Sequence, residues 1–138
     1  MKVYELRLKR HLPFETLILP DVKRAGTLPP AELKKKEAQL VLDRLQTSDK
    51  LYLLDERGKM YTSEAFAEQL QTELNHTSGR LIFLVGGAFG FDDRLYERAN
   101  RKLSLSKMTF SHQMVRVFFL EQLYRAMSIL RNEPYHNR

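Results

Sequence analysis

A run of five apolar residues, Leu81–Val85, is followed at once by a glycine-rich segment with the spacing Gly-Gly-x-x-Gly over residues 86–90. Such an uninterrupted run is typical of a strand buried on both faces of a parallel sheet. A helix is predicted next, from about Asp92 to Lys102. Glycines after a parallel strand let a ligand approach the backbone, at the sheet end where α/β proteins bind ligands. By itself the segment is as consistent with a plain tight turn as with a cofactor site.

Strands and helices alternate along the chain, which predicts an α/β fold with a mainly parallel sheet in a single domain spanning residues 1–138. The predicted strands are Phe14–Leu19, Leu51–Leu54, Leu81–Val85 and Leu103–Leu105, with a turn at Asp55–Gly58. The predicted helices are Tyr4–His11, Pro30–Leu45, a segment after a Thr62 or Ser63 cap, Asp92–Lys102 and Met114–Leu130. The helix after the cap is expected to bury Phe66, Leu70 and Leu74.

The segment before the last predicted helix, Leu105–Phe110, combines small hydroxyl residues with large apolar side chains. Such a loop can offer backbone groups to an adenine and an apolar wall to its ring. His112, which follows it, is more often a capping or packing residue than a catalyst. Arg116 falls in the predicted first turn of the helix, where a cation opposes the helix dipole. We therefore expect an anion or a polar network as the partner of Arg116.

Lysine and arginine total 23 against 17 acidic residues, which gives a net charge of +6 and a pI near 9.7. This balance favours a polyanionic partner, with RNA ahead of DNA or a membrane. A solvated basic surface without a partner is the plain alternative. The candidate RNA contacts are Lys34, Lys35, Lys36, Arg98, Arg101 and Lys102.

The composition also argues against several classes of protein. There is no cysteine, and the four histidines show no metal-ligand spacing, so neither a disulfide nor a metal site is expected. No apolar run approaches the ~20 residues of a membrane span, and the start of the chain is too polar for a signal peptide. The glycine spacing differs from that of dinucleotide-binding proteins. We therefore expect a cytoplasmic protein with no membrane association.

Four sequence blocks in the C-terminal half form a highly specific combination. They are Leu84–Gly90, Leu105–Arg116, Glu121–Ala126 and Pro134–His136. Together they resemble the RlmH family of SPOUT-class methyltransferases, and Phe14–Pro20 and Leu53–Lys59 also match. The resemblance thus covers essentially the whole chain. It implies methylation of N3 of a pseudouridine in 23S ribosomal RNA, on the assembled ribosome, with S-adenosylmethionine as the methyl donor.

The resemblance also implies a set of site residues. By motif position, the implied donor contacts are Leu54, Gly86, Leu105, Ser106, Lys107, Met108, Thr109 and Phe110. The donor is expected in a deep C-terminal trefoil knot, one of the rare exceptions to unknotted topology. His136 and Tyr135 are the candidates for acting on the N3 proton and for holding the target base. These two residues could come from the same subunit as the donor site or from its partner. Arg116 is the candidate for orienting a group or contacting a phosphate.

The implied homodimer agrees with the apolar character of the last predicted helix. Phe118, Phe119 and Leu123 make its apolar face wider than one stripe. Extra width of this kind indicates either burial within the fold or a dimer seam.

The start of the chain departs from the family pattern. Relatives begin with an apolar strand and a glycine turn that lead into a helix, whereas Met1 here falls inside that helix. The first strand is therefore expected to be missing, which would expose an edge of the sheet. A late start, an internal loss after Val3 or a true shortening would each produce this pattern. The alternative function is that of a catalytically inactive RNA- or ribosome-binding protein of the same fold.

Overall fold

The computed structural model describes residues 2–10, 12–19, 22–87 and 89–135. Its helices are α1 (Lys2–Lys9), α2 (Pro30–Leu42), α3 (Ser63–His76), α4 (Asp93–Arg98) and α5 (His112–Leu130). Its strands are β1 (Lys50–Met60), β2 (Leu81–Val85) and β3 (Arg101–Ser104), and a 3₁₀ turn covers Ala25–Thr27. None of the helices within these ranges is long and apolar enough to cross a membrane.

β1 lies at the centre of the three-stranded sheet formed by the described residues, with β2 and β3 at its edges. Both strand pairs are parallel. Leu54, at the end of the regular part of β1, lies opposite Val85 of β2 and Leu103 of β3. This arrangement confirms the predicted α/β fold with a mainly parallel sheet. It also means that the carboxyl ends of these strands meet at one edge of the sheet.

The apolar residues of β1 alternate between two cores, one on each face of the sheet. Leu51 and Leu53 are buried against α2 and α4, whereas Tyr52 and Leu54 belong to the core that contains α3 and α5. Because successive side chains of a strand point to opposite faces, this one short segment supports both helical layers. The core on the α3 and α5 side also includes Phe66, Leu70, Phe119, Leu123 and Met127.

β2 occupies the residues predicted for it, but the prediction that Leu81–Val85 is buried on both faces is wrong. The strand is half-buried along its whole length. Its position explains the difference, since β2 is an edge strand and the central place is taken by β1. Full burial is found instead at Leu51 and Leu53 of β1.

Residues 13–19 have no regular secondary structure, so the strand predicted at Phe14–Leu19 is wrong. Leu17 and Ile18 are exposed, and no strand in the described ranges pairs with this segment. An apolar, β-branched sequence favours a strand only where a neighbouring strand and a core are present. The segment has the composition of a strand without the partner that a strand requires.

The sequence predicts a turn at Asp55–Gly58, but β1 continues through these residues with a break in register. Leu103 lies opposite both Leu54 and Lys59, so residues 55–58 have no counterpart on β3. Gly58 lies so close to β3 that a Cβ atom there would be 2.7 Å from the backbone nitrogen of Leu103. Glycine is therefore required for the strand to resume its pairing after the irregular part.

α5 begins at His112, earlier than the predicted Met114, because Ser111 caps it. The Ser111 hydroxyl accepts a hydrogen bond from the backbone N–H of Met114 at 3.4 Å. Arg116 therefore lies beyond the first turn, and the prediction that it opposes the helix dipole there is wrong. α4 ends at Arg98, also earlier than predicted, because the residues that follow soon pair with β1 as β3.

α3 begins at the predicted cap, where the hydroxyl of Thr62 accepts a hydrogen bond from a first-turn backbone N–H at 3.0 Å. Phe66 and Leu70 are buried as predicted, but Leu74 is exposed. The buried position in this part of the helix belongs to Glu73 instead. A polar interaction with β1 accounts for the burial of this charged residue.

The carboxylate of Glu73 accepts a hydrogen bond from Nζ of Lys50 at 2.6 Å and one from the hydroxyl of Tyr52 at 2.5 Å. The side-chain amide of Gln69 donates to the same hydroxyl at 2.9 Å. Burial opposes ionisation of Glu73, but the hydrogen bonds from Lys50 and Tyr52 outweigh it and hold its pKa below the ordinary value. The network ties α3 to the central strand.

Replacing Glu73 with alanine should lower the free energy of unfolding by about 2–4 kcal/mol, because the Tyr52 hydroxyl would stay buried without its acceptor. The control is Glu68→Ala on the exposed side of α3, which should change it by less than about 0.5 kcal/mol. Urea unfolding followed by circular dichroism measures both variants. Equal unfolding free energies for the two would show that the network does not stabilise the fold.

Candidate functional site

Residues from three separate parts of the sequence meet at the carboxyl edge of the sheet. Leu54 ends the regular part of β1, Gly86 directly follows Val85 of β2, and Leu105 directly follows β3. The parallel register places Leu54 between the ends of the other two strands. The donor contacts predicted from these three segments therefore lie at one place in the fold. Crevices outside the carboxyl ends of parallel strands are where α/β proteins bind ligands.

The loop of residues 105–110 leaves this edge and leads towards α5. Its backbone N–H groups at Lys107, Thr109 and Phe110 donate no hydrogen bond within the part of the chain that the structure describes. Met108 and Phe110 are 73% and 40% exposed. Free backbone donors beside exposed apolar side chains suit a planar heterocycle such as adenine. The residues present therefore fit the methyl donor that the resemblance implies.

Hydrogen bonds to two side chains hold the 105–110 loop. Oγ of Ser106 accepts from the backbone N–H of Met108 at 3.0 Å, and the Thr109 hydroxyl donates to the carboxylate of Glu56 at 3.0 Å. Glu56 belongs to the irregular part of β1, which thus reaches across to the loop. Glu56 lies within the matched block Leu53–Lys59, but the sequence alone gives it no role.

Asp55 holds the same irregular part of β1 against α4. Its carboxylate accepts a short hydrogen bond from the hydroxyl of Tyr96 and one at 2.9 Å from the backbone N–H of Arg57. Burial opposes ionisation of Asp55, but these hydrogen bonds outweigh it and hold its pKa below the ordinary value. The guanidinium of Arg57 also lies over the Tyr96 ring, 5.2 Å from its centroid. An ionised carboxylate therefore lies next to Leu54 at neutral pH.

The glycine-rich segment contains a tight turn, in which the N–H of Gly90 donates to the carbonyl of Gly87 at 3.2 Å and Gly90 has a φ of +82°. Gly86 precedes the turn and packs on Phe91, since a Cβ atom at Gly86 would be 2.9 Å from its ring. The tight-turn interpretation is confirmed, and the donor site at Gly86 stays a prediction. A larger residue at this position would strike Phe91, so such a variant would disturb the fold as well as a ligand.

A pocket of about 440 Å³ lies between the start of α3, the end of β3 and α5. Its lining includes the predicted donor contacts Leu105, Ser106 and Phe110. The other predicted contacts, Leu54, Gly86, Lys107, Met108 and Thr109, lie outside this lining. Glu121 and Gln122 contribute to the lining from α5. Neither here nor elsewhere among the described residues do three or more His, Asp or Glu side chains form a group that could hold a metal ion.

Glu121 connects this pocket to the end of the chain. Its carboxylate accepts hydrogen bonds from the Tyr135 hydroxyl at 3.3 Å and from Nη2 of Arg125 at 2.5 Å. The amide of Gln122 donates to the same carboxylate at 3.0 Å, and the Ser63 hydroxyl donates to Gln122 at 2.9 Å. Tyr135 is therefore only one side chain away from the pocket. The sequence analysis quoted the block that begins at Glu121 but gave this residue no role.

A hydrogen bond with Tyr4, burial and the charge of Glu121 raise the pKa of Tyr135 to about 12. Its hydroxyl is protonated near neutral pH and acts as a hydrogen-bond donor rather than a proton acceptor. The Tyr135 ring packs edge-on against Tyr124, with 4.7 Å between centroids. His136, the other candidate in the tail, lies outside the described residues.

The side chain of Arg116 is half-buried on α5 and makes no hydrogen bond or ion pair with any other described residue. Its guanidinium presents five donors in a planar fork. Such a group suits a phosphate or a carboxylate. The role predicted for Arg116, which is to orient the reacting groups or to contact a phosphate, stays a prediction.

Three arginines line a second pocket, of about 500 Å³, between the end of α1 and the C-terminal end of α5. They are Arg7, Arg10 and Arg131, and Tyr124 and Glu133 complete the lining. The guanidinium of Arg7 lies over the Tyr124 ring, 5.5 Å from its centroid. Three guanidinium groups against one carboxylate give the pocket a positive charge, which suits a phosphate.

The predicted RNA contacts differ in their exposure and in whether their side chains already make hydrogen bonds within the chain. Nη2 of Arg98 donates to the carbonyls of Gln46 at 3.0 Å and Asp49 at 2.9 Å, so this side chain already supports the turn before β1. Lys34 is half-buried. The exposed candidates are Lys35, Lys36, Arg101 and Lys102.

Comparison with known proteins agrees with this geometry. The family model described as "Predicted SPOUT methyltransferase" matches residues 1–136. The "Ribosomal RNA large subunit methyltransferase H" of Christiangramia forsetii is 52% identical over all of this chain and 88% of the relative. The proteins of the same name from Cytophaga hutchinsonii and Parabacteroides distasonis are 54% and 50% identical, over 97% of this chain and 86% and 85% of the relatives. The chain therefore belongs to the SPOUT methyltransferase family.

Proposed function

We propose that this chain transfers a methyl group from S-adenosylmethionine to N3 of a pseudouridine in 23S ribosomal RNA. Relatives that align with almost the whole chain carry the name of a large-subunit ribosomal RNA methyltransferase, which supports the reaction class. The structural observation that supports it is the meeting of Leu54, Gly86 and the 105–110 loop at the carboxyl edge of the sheet. The assembled ribosome in the cytoplasm is the proposed place of action.

Residues at the carboxyl edge would bind and orient the methyl donor. The free N–H groups of the 105–110 loop are available to the adenine, and Met108 and Phe110 offer apolar surface to its ring. S-adenosylmethionine supplies the methyl group on a positively charged sulfur when it is bound. Fixing the acceptor base beside it converts a bimolecular step into an effectively unimolecular one, which can contribute several kcal/mol.

The acceptor N3–H is a weak acid and must lose its proton or be polarised. Tyr135, protonated near neutral pH, can donate a hydrogen bond to the target base or stack on it. In this proposal His136 either accepts the N3 proton, which could contribute ~10²–10⁴-fold in rate, or holds the target base in place. Arg116 orients these groups or contacts a phosphate of the RNA.

We also propose a homodimer of single-domain subunits, each with the trefoil knot. Phe119 and Leu123 are buried within the chain's own core, so the surface available for a dimer seam on α5 is narrower than the sequence predicts. The exposed large apolar side chains of α5 are those of Met114 and Phe118, and the exposed Phe110 lies just before the helix. Phe110 and Phe118 already pack edge-on with 5.2 Å between centroids. A dimer seam there would border the 105–110 loop.

The proposed reaction is tested by two measurements on the full chain. Calorimetric titration with S-adenosylmethionine should show binding, and radiolabelled donor should transfer its methyl group to 23S RNA in ribosomes. Mapping by mass spectrometry should place the methyl group on N3 of a pseudouridine. Ribosome binding without donor binding or transfer would favour the catalytically inactive alternative.

His136→Ala and Tyr135→Phe should lower the rate of methyl transfer at least tenfold, about 1.4 kcal/mol in the barrier. Both variants should keep the donor affinity of the wild type, because the donor contacts lie at the carboxyl edge of the sheet. Single-turnover assays with ribosomes measure the rate, and calorimetry provides the control. Wild-type rates in both variants would show that neither Tyr135 nor His136 has a catalytic role.

Arg7→Glu should weaken ribosome binding, because the pocket that it lines would lose its excess positive charge. The slope of log affinity against log salt should become shallower by about 1 for a lost phosphate contact. Lys23→Glu, an exposed charge reversal away from the pocket lining, is the matched control. Filter binding at several salt concentrations measures both slopes. Identical slopes in the two variants would show that the arginine-lined pocket does not bind a phosphate of the RNA.

A further inference from the structure

The side chain of Glu37 extends from α2 to the carboxyl edge of the sheet and packs on the glycine-rich segment. A Cβ atom built on Gly87 would lie 2.7 Å from Oε2 and 3.2 Å from Oε1 of Glu37. Gly87 directly follows Gly86, the glycine predicted to contact the methyl donor. The absence of a side chain at Gly87 therefore leaves the space that the Glu37 carboxylate occupies.

Glu37 differs from the other carboxylates at this edge because no described residue donates a hydrogen bond to it. Asp55 and Glu56 each accept hydrogen bonds from neighbouring groups. Glu37 is half-buried and accepts none from any residue that the structure describes. Burial raises the pKa of its carboxyl group, and the nearby charge of His112, at the start of α5, opposes the rise. A partly desolvated carboxylate without a donor is costly unless a ligand pairs with it.

We propose that Glu37 binds the positively charged methionine part of S-adenosylmethionine. This inference rests on the proposed function and deepens it. The donor carries two positive charges, on the sulfonium sulfur and on the α-ammonium group, and an ionised carboxylate can pair with either. The Glu37 carboxylate lies against Gly87, the residue next to Gly86. Its place beside the predicted donor contact favours a role in donor binding over a role in proton removal from RNA.

S-adenosylhomocysteine provides the chemical comparison, because it keeps the ammonium group and lacks the sulfonium charge. Glu37→Gln keeps the size of the side chain and removes its charge. The matched control is Glu32→Gln, which removes an exposed carboxylate from the same helix. Glu37→Asp keeps the charge on a shorter side chain and should recover part of the affinity. Circular dichroism and thermal unfolding confirm that each variant is folded.

Calorimetric titration of the full chain with S-adenosylmethionine should show at least tenfold weaker binding in Glu37→Gln and no change in Glu32→Gln. An equal loss with S-adenosylhomocysteine would assign the contact to the ammonium group, and a smaller loss would assign it to the sulfonium. Unchanged affinity for both ligands in Glu37→Gln would overturn the inference, whether or not methyl transfer falls. A wild-type chain that binds neither ligand would overturn the proposed function, and this inference with it.

Discussion

The register of β1 between its two neighbours is the constraint on which the rest of the structure depends. Leu54 lies opposite Val85 on one side and Leu103 on the other, which aligns the ends of three strands at one edge. A slip of one residue would move the apolar side chains of β1 to the wrong faces of the sheet. Because Leu51 and Leu53 serve one core while Tyr52 and Leu54 serve the other, such a slip would disrupt both. The same pairing that forms the fold therefore assembles the candidate site.

The irregular part of β1 shapes the carboxyl edge of the sheet, where the candidate site lies. Residues 55–58 leave the ladder before β1 resumes its pairing, and their side chains contact elements that a regular strand would not reach. Asp55 bonds to Tyr96 of α4, and Glu56 bonds to Thr109 of the 105–110 loop. Both carboxylates accept hydrogen bonds within the chain, whereas Glu37 at the same edge accepts none from the residues in the described ranges. The edge thus combines fixed polar groups with one carboxylate that is available to a ligand.

Local signals in the sequence predicted the elements that depend on local interactions. The cap at Thr62 and the strand Leu81–Val85 were both found, because capping chemistry and an uninterrupted apolar run are properties of a few adjacent residues. Phe14–Leu19 was wrong because a strand needs a partner that its own composition cannot reveal. The donor contacts implied by motif position stay a prediction, although Leu54, Gly86 and the 105–110 loop lie at the same edge of the sheet. The sequence alone gives no role to Glu37 or Glu56. Their roles arise from contacts with residues far away in the sequence, 50 and 53 positions apart for Gly87 and Thr109.

A crystal structure of the chain with S-adenosylhomocysteine would show whether the carboxyl edge of this sheet binds the methyl donor. We expect adenine contacts from the backbone of the 105–110 loop, with the ligand lying next to Leu54 and Gly86. The amino-acid part of the ligand should lie near Glu37. A ligand bound in the arginine-lined pocket, or anywhere away from this edge, would show that the donor site lies elsewhere.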